Sequence, residues 1–307
     1  MDVIQLAPRL IGPADAATTL RTNTTAPNPI KALRWGDVWV GWRMQNDRFE
    51  KIEKKLKLIE DHFGKAFWRA IDIAYESSLP HRSIKCIVCE KEGHRTDFEV
   101  LTDKCIFGGG VLERYRCPTC DCIFGPLKYL DADEDFVSRD YELLYANYSE
   151  SDSTENEIRT FGSLAPKSGA LYLDWGCGGE WSRTIATLRA QGHDVWGYEP
   201  TIAATAGFVV KNRDEVSAKF DGIFSNNVIE HFRDPIAQFK EFHSILKPDG
   251  VMAHSSPCYE YEYAFTRFHT LFLLGRSPHV LAERSGFKVS NVVKDGQYIN
   301  YIFKKEG

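Results

Sequence analysis

The 307-residue chain has no run near the roughly 20 consecutive apolar residues that a membrane-spanning helix needs. It has no excess of basic charge either: 38 Lys and Arg face 43 Asp and Glu, for a formal net charge of −5. That balance gives no general attraction to nucleic acid or to an anionic membrane. The first residues, MDVIQLAPRLIGPAD, lack the long apolar core of a secretory leader, so the protein is expected to be cytoplasmic. Methionine is scarce, at three residues. What is present is ordinary globular material: 43% hydrophobic and 13% aromatic.

Five stretches differ in pattern. Residues 1–30 are rich in Thr, Ala and Pro without periodicity, and are expected to form a loose tail. Residues 31–80 carry a helical signal. Phe49, Ile52, Leu56, Ile59 and Phe63 recur at spacings of three and four, with Trp35, Trp39 and Trp42 just upstream. The plain expectation is a helix packed on its own chain; the sharper one is a face for a homo-oligomer or a partner. Residues 81–130 hold a cysteine cluster. Residues 131–160 read as an acidic linker and the helix leading into the next domain. Residues 161–307 alternate apolar strands with amphipathic helices, the mark of a parallel sheet with crossover helices.

Six of the eight cysteines fall between 86 and 122. Cys86 and Cys89 form one Cys-x2-Cys turn, and Cys117 and Cys120 a second. Two such turns can aim four thiolates at one tetrahedral metal. With strands expected over FEVL and VLERYR and a turn at Gly108–Gly110, the segment reads as a zinc ribbon. All four positions would be filled by protein, which makes the zinc structural. Cys122 could compete as a ligand, and Cys105 reads as a buried thiol. Residues 81–130 hold eight basic and seven acidic side chains, so no phosphate-tracking patch is present and no nucleic-acid partner is expected.

The central motif is Leu171-Tyr-Leu-Asp174-Trp-Gly176-Cys-Gly178-Gly179-Glu180: an apolar strand, an acid, then a glycine-rich turn into a helix. Such glycines let backbone approach a ligand where a Cβ would clash. A second strand ends in Glu199, at the spacing of a ribose-binding acid. A third apolar strand leads into Asn226-Asn227 and Glu-His231 near Asp-Pro235. On these residues, positions 161–307 resemble the class I S-adenosylmethionine (SAM)-dependent methyltransferases. The resemblance implies an α/β, Rossmann-like seven-stranded methyltransferase sheet, closed here by an antiparallel pair around Asp295-Gly296. It implies that Asp174, Gly176, Gly178, Gly179, Glu199, Asn226 and Asn227 lie along SAM. Glu180 stands where the family has its third glycine, and only Asp214 offers an acid for the adenine.

Methyl transfer to a hydroxyl of high pKa benefits from a base near neutrality. Position along the chain nominates His269, His231 and His254, with Tyr141, Tyr145 and Tyr148 read as ordinary packing residues or, more sharply, as a lid. The four-cysteine module joined to a compact methyltransferase is similar to the zinc-containing sugar C-methyltransferases of deoxysugar pathways and to sugar O-methyltransferases of surface-polysaccharide clusters. Only His269 matches the last residue of the Tyr-His-Glu-His segment of the C-methyltransferases; Phe268 replaces the Glu. O-methylation of a sugar or glycan hydroxyl is the expectation. An RNA methyltransferase with a zinc module and a catalytically degenerate SAM-fold interaction subunit stay open as alternatives.

Overall fold

The computed structural model describes residues 35–146, 148 and 151–306, with side chains from 48 onward. The expected tail over 1–30 and the side chains of Trp35, Trp39 and Trp42 lie outside the described residues. Contacts divide the chain after Leu56, and every strand belongs to the compact unit from Lys57 onward.

Helix α1 (Trp35–Ser78) is followed by the hairpin β1 (Ile84–Lys85) and β2 (Glu92–Gly93), then β3 (Glu99–Lys104), β4 (Val111–Arg116) and β5 (Ile123–Phe124). Helices α2 (Leu127–Leu130), α3 (Glu134–Tyr145) and α4 (Thr154–Gly162) come next. The remainder runs β6 (Leu171–Trp175), α5 (Arg183–Ala190), β7 (Asp194–Tyr198), β8 (Val209–Val210), β9 (Phe220–Asn226), α6 (Pro235–Ile245), β10 (Leu246–Ser255), β11 (Leu271–Phe272), α7 (Ser277–Arg284), β12 (Phe287–Asp295) and β13 (Tyr298–Lys305).

The large sheet has seven strands in the order β12-β13-β10-β9-β6-β7-β8. Strands β10, β9, β6, β7 and β8 run parallel to one another, and the antiparallel β12–β13 hairpin joins them with β13 antiparallel to β10. This is the expected Rossmann-like α/β sheet. Apolar residues on both faces explain it: Leu173, Ile223, Phe224, Met252 and Ala253 are all buried, which only a sheet covered on both sides allows. Strand order reverses between β6 and β9. In open α/β sheets the crevice beyond the carboxyl ends at such a reversal is where ligands bind.

The predicted strands over FEVL and VLERYR are β3 and β4. The sheet they build has a member the sequence did not advertise. Its order is β11-β5-β4-β3, so Leu271 and Phe272, from the segment after β10, pair with Phe124 and Ile123 of the cysteine-bearing module. Short helix α4 begins inside the stretch read as linker and entry helix, and Phe161 on it is buried against Tyr172 and Phe224.

The apolar stripe of α1 is a correction. Ile59 and Phe63 are 51% and 68% exposed, so this stripe is not the face that packs on the chain. The buried face is Trp68 and Asp72, at a spacing of four, with Tyr75 and Leu79 packed against the core. A charged residue hides this face in the sequence: Lys128 donates to Asp72 and to the Gly109 carbonyl (2.8 Å), which makes burial of Asp72 tolerable.

Arg114 on β4 is fully buried. Its guanidinium donates to the carbonyls of Ala264 (2.7 Å), Thr266 (2.6 Å) and His269 (3.1 Å), fixing the segment that precedes β11. An acceptor left buried and unmet costs about 1–3 kcal/mol. Arg114→Met keeps the volume and removes the donors. We expect the unfolding free energy to fall by about 3 kcal/mol on that basis, read by urea denaturation with tryptophan fluorescence. An unchanged midpoint would contradict the clamp.

Candidate active site

The turn after β6 owes its shape to glycine. Gly176 has φ +78°, and a Cβ there would stand 2.7 Å from Val228 Cγ2. Gly178 has φ +80° with nothing within 4 Å of where a Cβ would sit, so its outer face is open to a ligand. The Gly176 amide donates to the Tyr198 carbonyl (2.8 Å), tying the turn to the end of β7. Glu199, one residue on, is nearly buried. One carboxylate oxygen accepts from the Gly178 amide (3.0 Å), the other from the amide and hydroxyl of Thr201 (3.1 and 2.6 Å).

Asp174 is 1% exposed, and its Oδ2 has no hydrogen-bond partner among the described residues. Burial, then the charges of Glu157 and Glu199, push its carboxyl well above the usual range. Three acids around an open glycine turn suit a ligand that brings positive charge. SAM carries a sulfonium and an ammonium, so the residues present fit it. Glu180 is exposed to solvent, which spares the ligand carboxylate a buried like charge. Asp214 is exposed in a short turn, Arg213–Glu215, after β8.

Beyond the carboxyl ends of β9 and β10 lies a cavity of about 410 Å³. Tyr141, Tyr145, Tyr148 and Phe268 give it an aromatic wall; Asn226, Asn227, Glu230, His231 and His269 give it polar groups. Asn227 sits at φ +56° with its amide on the Ser255 carbonyl (2.9 Å), and Asn226 Oδ1 accepts from the Ser255 hydroxyl (2.7 Å). Asn226 Nδ2 is buried with no partner among the described residues. His231 Nδ1 lies 3.0 Å from the Phe268 carbonyl and 2.9 Å from the Tyr141 hydroxyl. His269 Nδ1 lies 3.0 Å from the Tyr263 carbonyl, and the two imidazole rings meet edge to face at 5.0 Å. Burial, then the charges of His231 and Arg114, push His269 down to about 2, so its ring is neutral in ordinary buffers.

The cavity-lining residues thus bring His231, His269, Asn226 and Asn227 together; Asp174, Gly176, Gly178 and Glu199 gather at the neighbouring strand ends. His254 is a correction. It is fully buried, its ring stacked 5.3 Å from Phe242 and its Nδ1 2.7 Å from the Ser225 hydroxyl, and it does not line the cavity. It sits on β10 pointing into the sheet's core, where an acceptor cannot reach.

Residues 154–289 match the family model described as a methyltransferase domain. The chain carries a class I SAM-dependent methyltransferase domain. No curated protein matches it. Among solved structures, it is similar to the 1,6-didemethyltoxoflavin-N1-methyltransferase of Burkholderia thailandensis, at 17% identity and a TM-score of 0.44 over 64% of this chain and 96% of that one. It is also similar to the mitomycin 7-O-methyltransferase MmcR (17%, TM-score 0.39, 50% and 54%) and to the CcbJ methyltransferase of Streptomyces caelestis (11%, 0.38, 53% and 95%). No helix among the described residues is long and apolar enough to cross a membrane.

In this methyltransferase the cysteine turns are near copies of each other. The Cys86 amide donates to the Lys91 carbonyl and the Cys117 amide to the Cys122 carbonyl (2.9 and 2.8 Å). The Glu90 and Asp121 amides return to Cys86 and Cys117 (both 3.0 Å), with φ of +61° and +68°. Sulfur separations of 3.7 Å (Cys86–Cys120) and 3.4 Å (Cys89–Cys117) approach the edge of a zinc–thiolate tetrahedron, about 3.8 Å for bonds of about 2.3 Å. The cluster is compatible with zinc. Cys122 corresponds to Lys91, the residue that closes each turn through its carbonyl, and stands outside the four-sulfur group.

Sequence reasoning missed the residues that hold the segment beside the cavity. Arg267 pairs with Asp140 through two bonds of 2.6 Å and donates to the Phe107 carbonyl (2.8 Å). Glu230 adjoins His231 in sequence, and a carboxylate beside a candidate base was the signal available.

Burial pushes His254 down to about 3. Its folded value lies below the unfolded value of about 6.5, so its neutral ring contributes stability that is present above pH 6.5 and lost as pH falls toward 3. Below pH 6.5 it adds a slope approaching about 1.4 kcal/mol per pH unit. His254→Asn, which keeps a partner for Ser225, should flatten stability between pH 6.5 and 5 by that amount in denaturant titrations; an equal slope would place the proton elsewhere.

Proposed function

We propose that the protein transfers the methyl group of SAM to a hydroxyl of a sugar, either nucleotide-linked or within a glycan. The observation that carries this reading is the cavity: an aromatic wall on one side, and Asn226, Asn227, Glu230, His231 and His269 on the other, beyond the ends of β9 and β10. Sugar rings stack on aromatic faces while their hydroxyls need several polar partners, and this lining offers both. Asp174 and Glu199 take the cofactor, with the glycine turn of Gly176, Gly178 and Gly179 against its amino-acid part. Bound SAM supplies an electrophilic methyl group. Asn226 and Asn227 orient the acceptor, and the hydroxyl proton is lost to water beside the Glu230–His231–His269 cluster. Tyr141, Tyr145 and Tyr148 limit water at the reacting oxygen. The four cysteines hold a structural zinc that keeps the ribbon in shape beneath the acceptor segment.

The test is an acceptor screen with labelled SAM, nucleotide sugars and oligosaccharides. Methylated sugar from the wild type is expected. His269→Gln should lower kcat by at least about 100-fold, the usual worth of a group assisting proton removal, while affinity for S-adenosylhomocysteine stays within twofold. Methylation of RNA or of no sugar in the screen would overturn the sugar assignment.

A further inference from the structure

Glu230, His231 and His269 come from two distant segments. The turn Ile229–His231 after β9 supplies the first two, and the segment held by Arg114 supplies the third. A backbone bond joins the segments where they meet, from the Thr270 amide to the Glu230 carbonyl (2.9 Å). A carboxylate oxygen of Glu230 and one ring nitrogen from each histidine lie within 4.8 Å of one another, with Glu230 buried and both histidines half-buried.

The backbone decides the tautomers. His231 Nδ1 is 3.0 Å from the Phe268 carbonyl, and His269 Nδ1 is 3.0 Å from the Tyr263 carbonyl. A carbonyl oxygen only accepts, so each contact is favourable when Nδ1 carries the proton. The Tyr141 hydroxyl oxygen and the Cys258 sulfur stand by the same two nitrogens, at 2.9 and 3.6 Å, and are placed to accept as well. Each ring is left with Nε2 as a lone pair. In metal-binding histidines one nitrogen commonly donates to a carbonyl while the other holds the ion.

We propose that Glu230, His231 and His269 bind one divalent first-row transition cation inside the acceptor cavity. A lone general base needs one imidazole. Here two imidazoles and a carboxylate converge, and three potential ligand atoms so close suit a shared cation. Two nitrogens and one oxygen on one side of an ion leave its other positions open, which suits Mn²⁺, Fe²⁺ or Co²⁺. The thiolate cluster offers four soft ligands and no open position, so the two sites differ in both chemistry and purpose.

The cation's use rests on the sugar-hydroxyl reading. With the ion held by the two rings and the carboxylate, an acceptor hydroxyl entering an open position becomes more acidic. Its proton departs to water, the O–CH₃ bond forms as the S–CH₃ bond breaks, and S-adenosylhomocysteine leaves. No oxidant or reductant takes part.

The experiment is a Mn²⁺ titration of the full-length, zinc-loaded protein, with unbound Mn²⁺ read by electron paramagnetic resonance. One equivalent should bind. Glu230→Gln and His269→Gln should each weaken it at least tenfold with zinc content unchanged. No uptake, or equal affinity in folded variants, overturns the proposal. Should the variants not fold, Co²⁺ added to the wild type decides: a ligand-field spectrum without thiolate charge transfer supports the site, and a thiolate band places the metal at the cysteines and overturns it. The titration uses neither SAM nor acceptor. Bound Mn²⁺ without sugar methylation therefore rejects the acceptor class alone, and sugar methylation without bound Mn²⁺ rejects the cation alone.

Discussion

The buried guanidinium of Arg114 is the interaction on which the acceptor side depends. A segment of about fifteen residues, from the end of β10 to β11, has little regular structure of its own. Apart from the short 3-10 turn Pro257–Tyr259, no named helix or strand lies within it, so most of its carbonyls draw their donors from other segments. Arg114 meets three of them from the neighbouring module, and Arg267 reaches back to Asp140 and Phe107. Charge-assisted bonds to carbonyls are directional, so the segment has one shape rather than many. His269 stands where it does because of that shape.

This divides the site into two halves with different supports. The half that fits SAM rests on the parallel sheet: β6 and β7 end side by side, and hydrogen bonds among Gly176, Tyr198, Gly178 and Glu199 lock the turn between them. The half that forms the acceptor cavity rests on the four-stranded sheet, of which the cysteine-bearing module supplies three strands and the methyltransferase domain one. The cysteine cluster is then more than a staple for a small module. The strands on either side of its second turn are those that carry Arg114 and pair with β11.

The first half was legible in the sequence and the second was not. A glycine turn between an acid and a later acid lets backbone approach a ligand closely, so the gathering of Asp174, Gly176, Gly178 and Glu199 at neighbouring strand ends could be expected without coordinates. The four-cysteine spacing was legible because two Cys-x2-Cys turns bring four thiols to one point. Arg114, in contrast, looks like a solvated charge on an alternating strand; only its distant carbonyl partners make burial possible. The two residues of β11 carry no periodicity, and their pairing spans nearly 150 positions. On α1, the obvious apolar stripe was not the packed face, because the packed one contains Asp72, which Lys128 neutralises from across the fold. His254 sits at the expected strand end, yet side chains alternate along a strand, and its turn is inward.

The most direct test of this account is hydrogen–deuterium exchange on Cys117→Ser beside the wild type, comparing amides 264–273 with amides 174–180. Disrupting the second cysteine turn should loosen β4 and β5, and the account predicts that 264–273 lose protection while 174–180 keep theirs. Equal protection of 264–273 in both proteins would contradict the dependence of the acceptor half on the cysteine-bearing module.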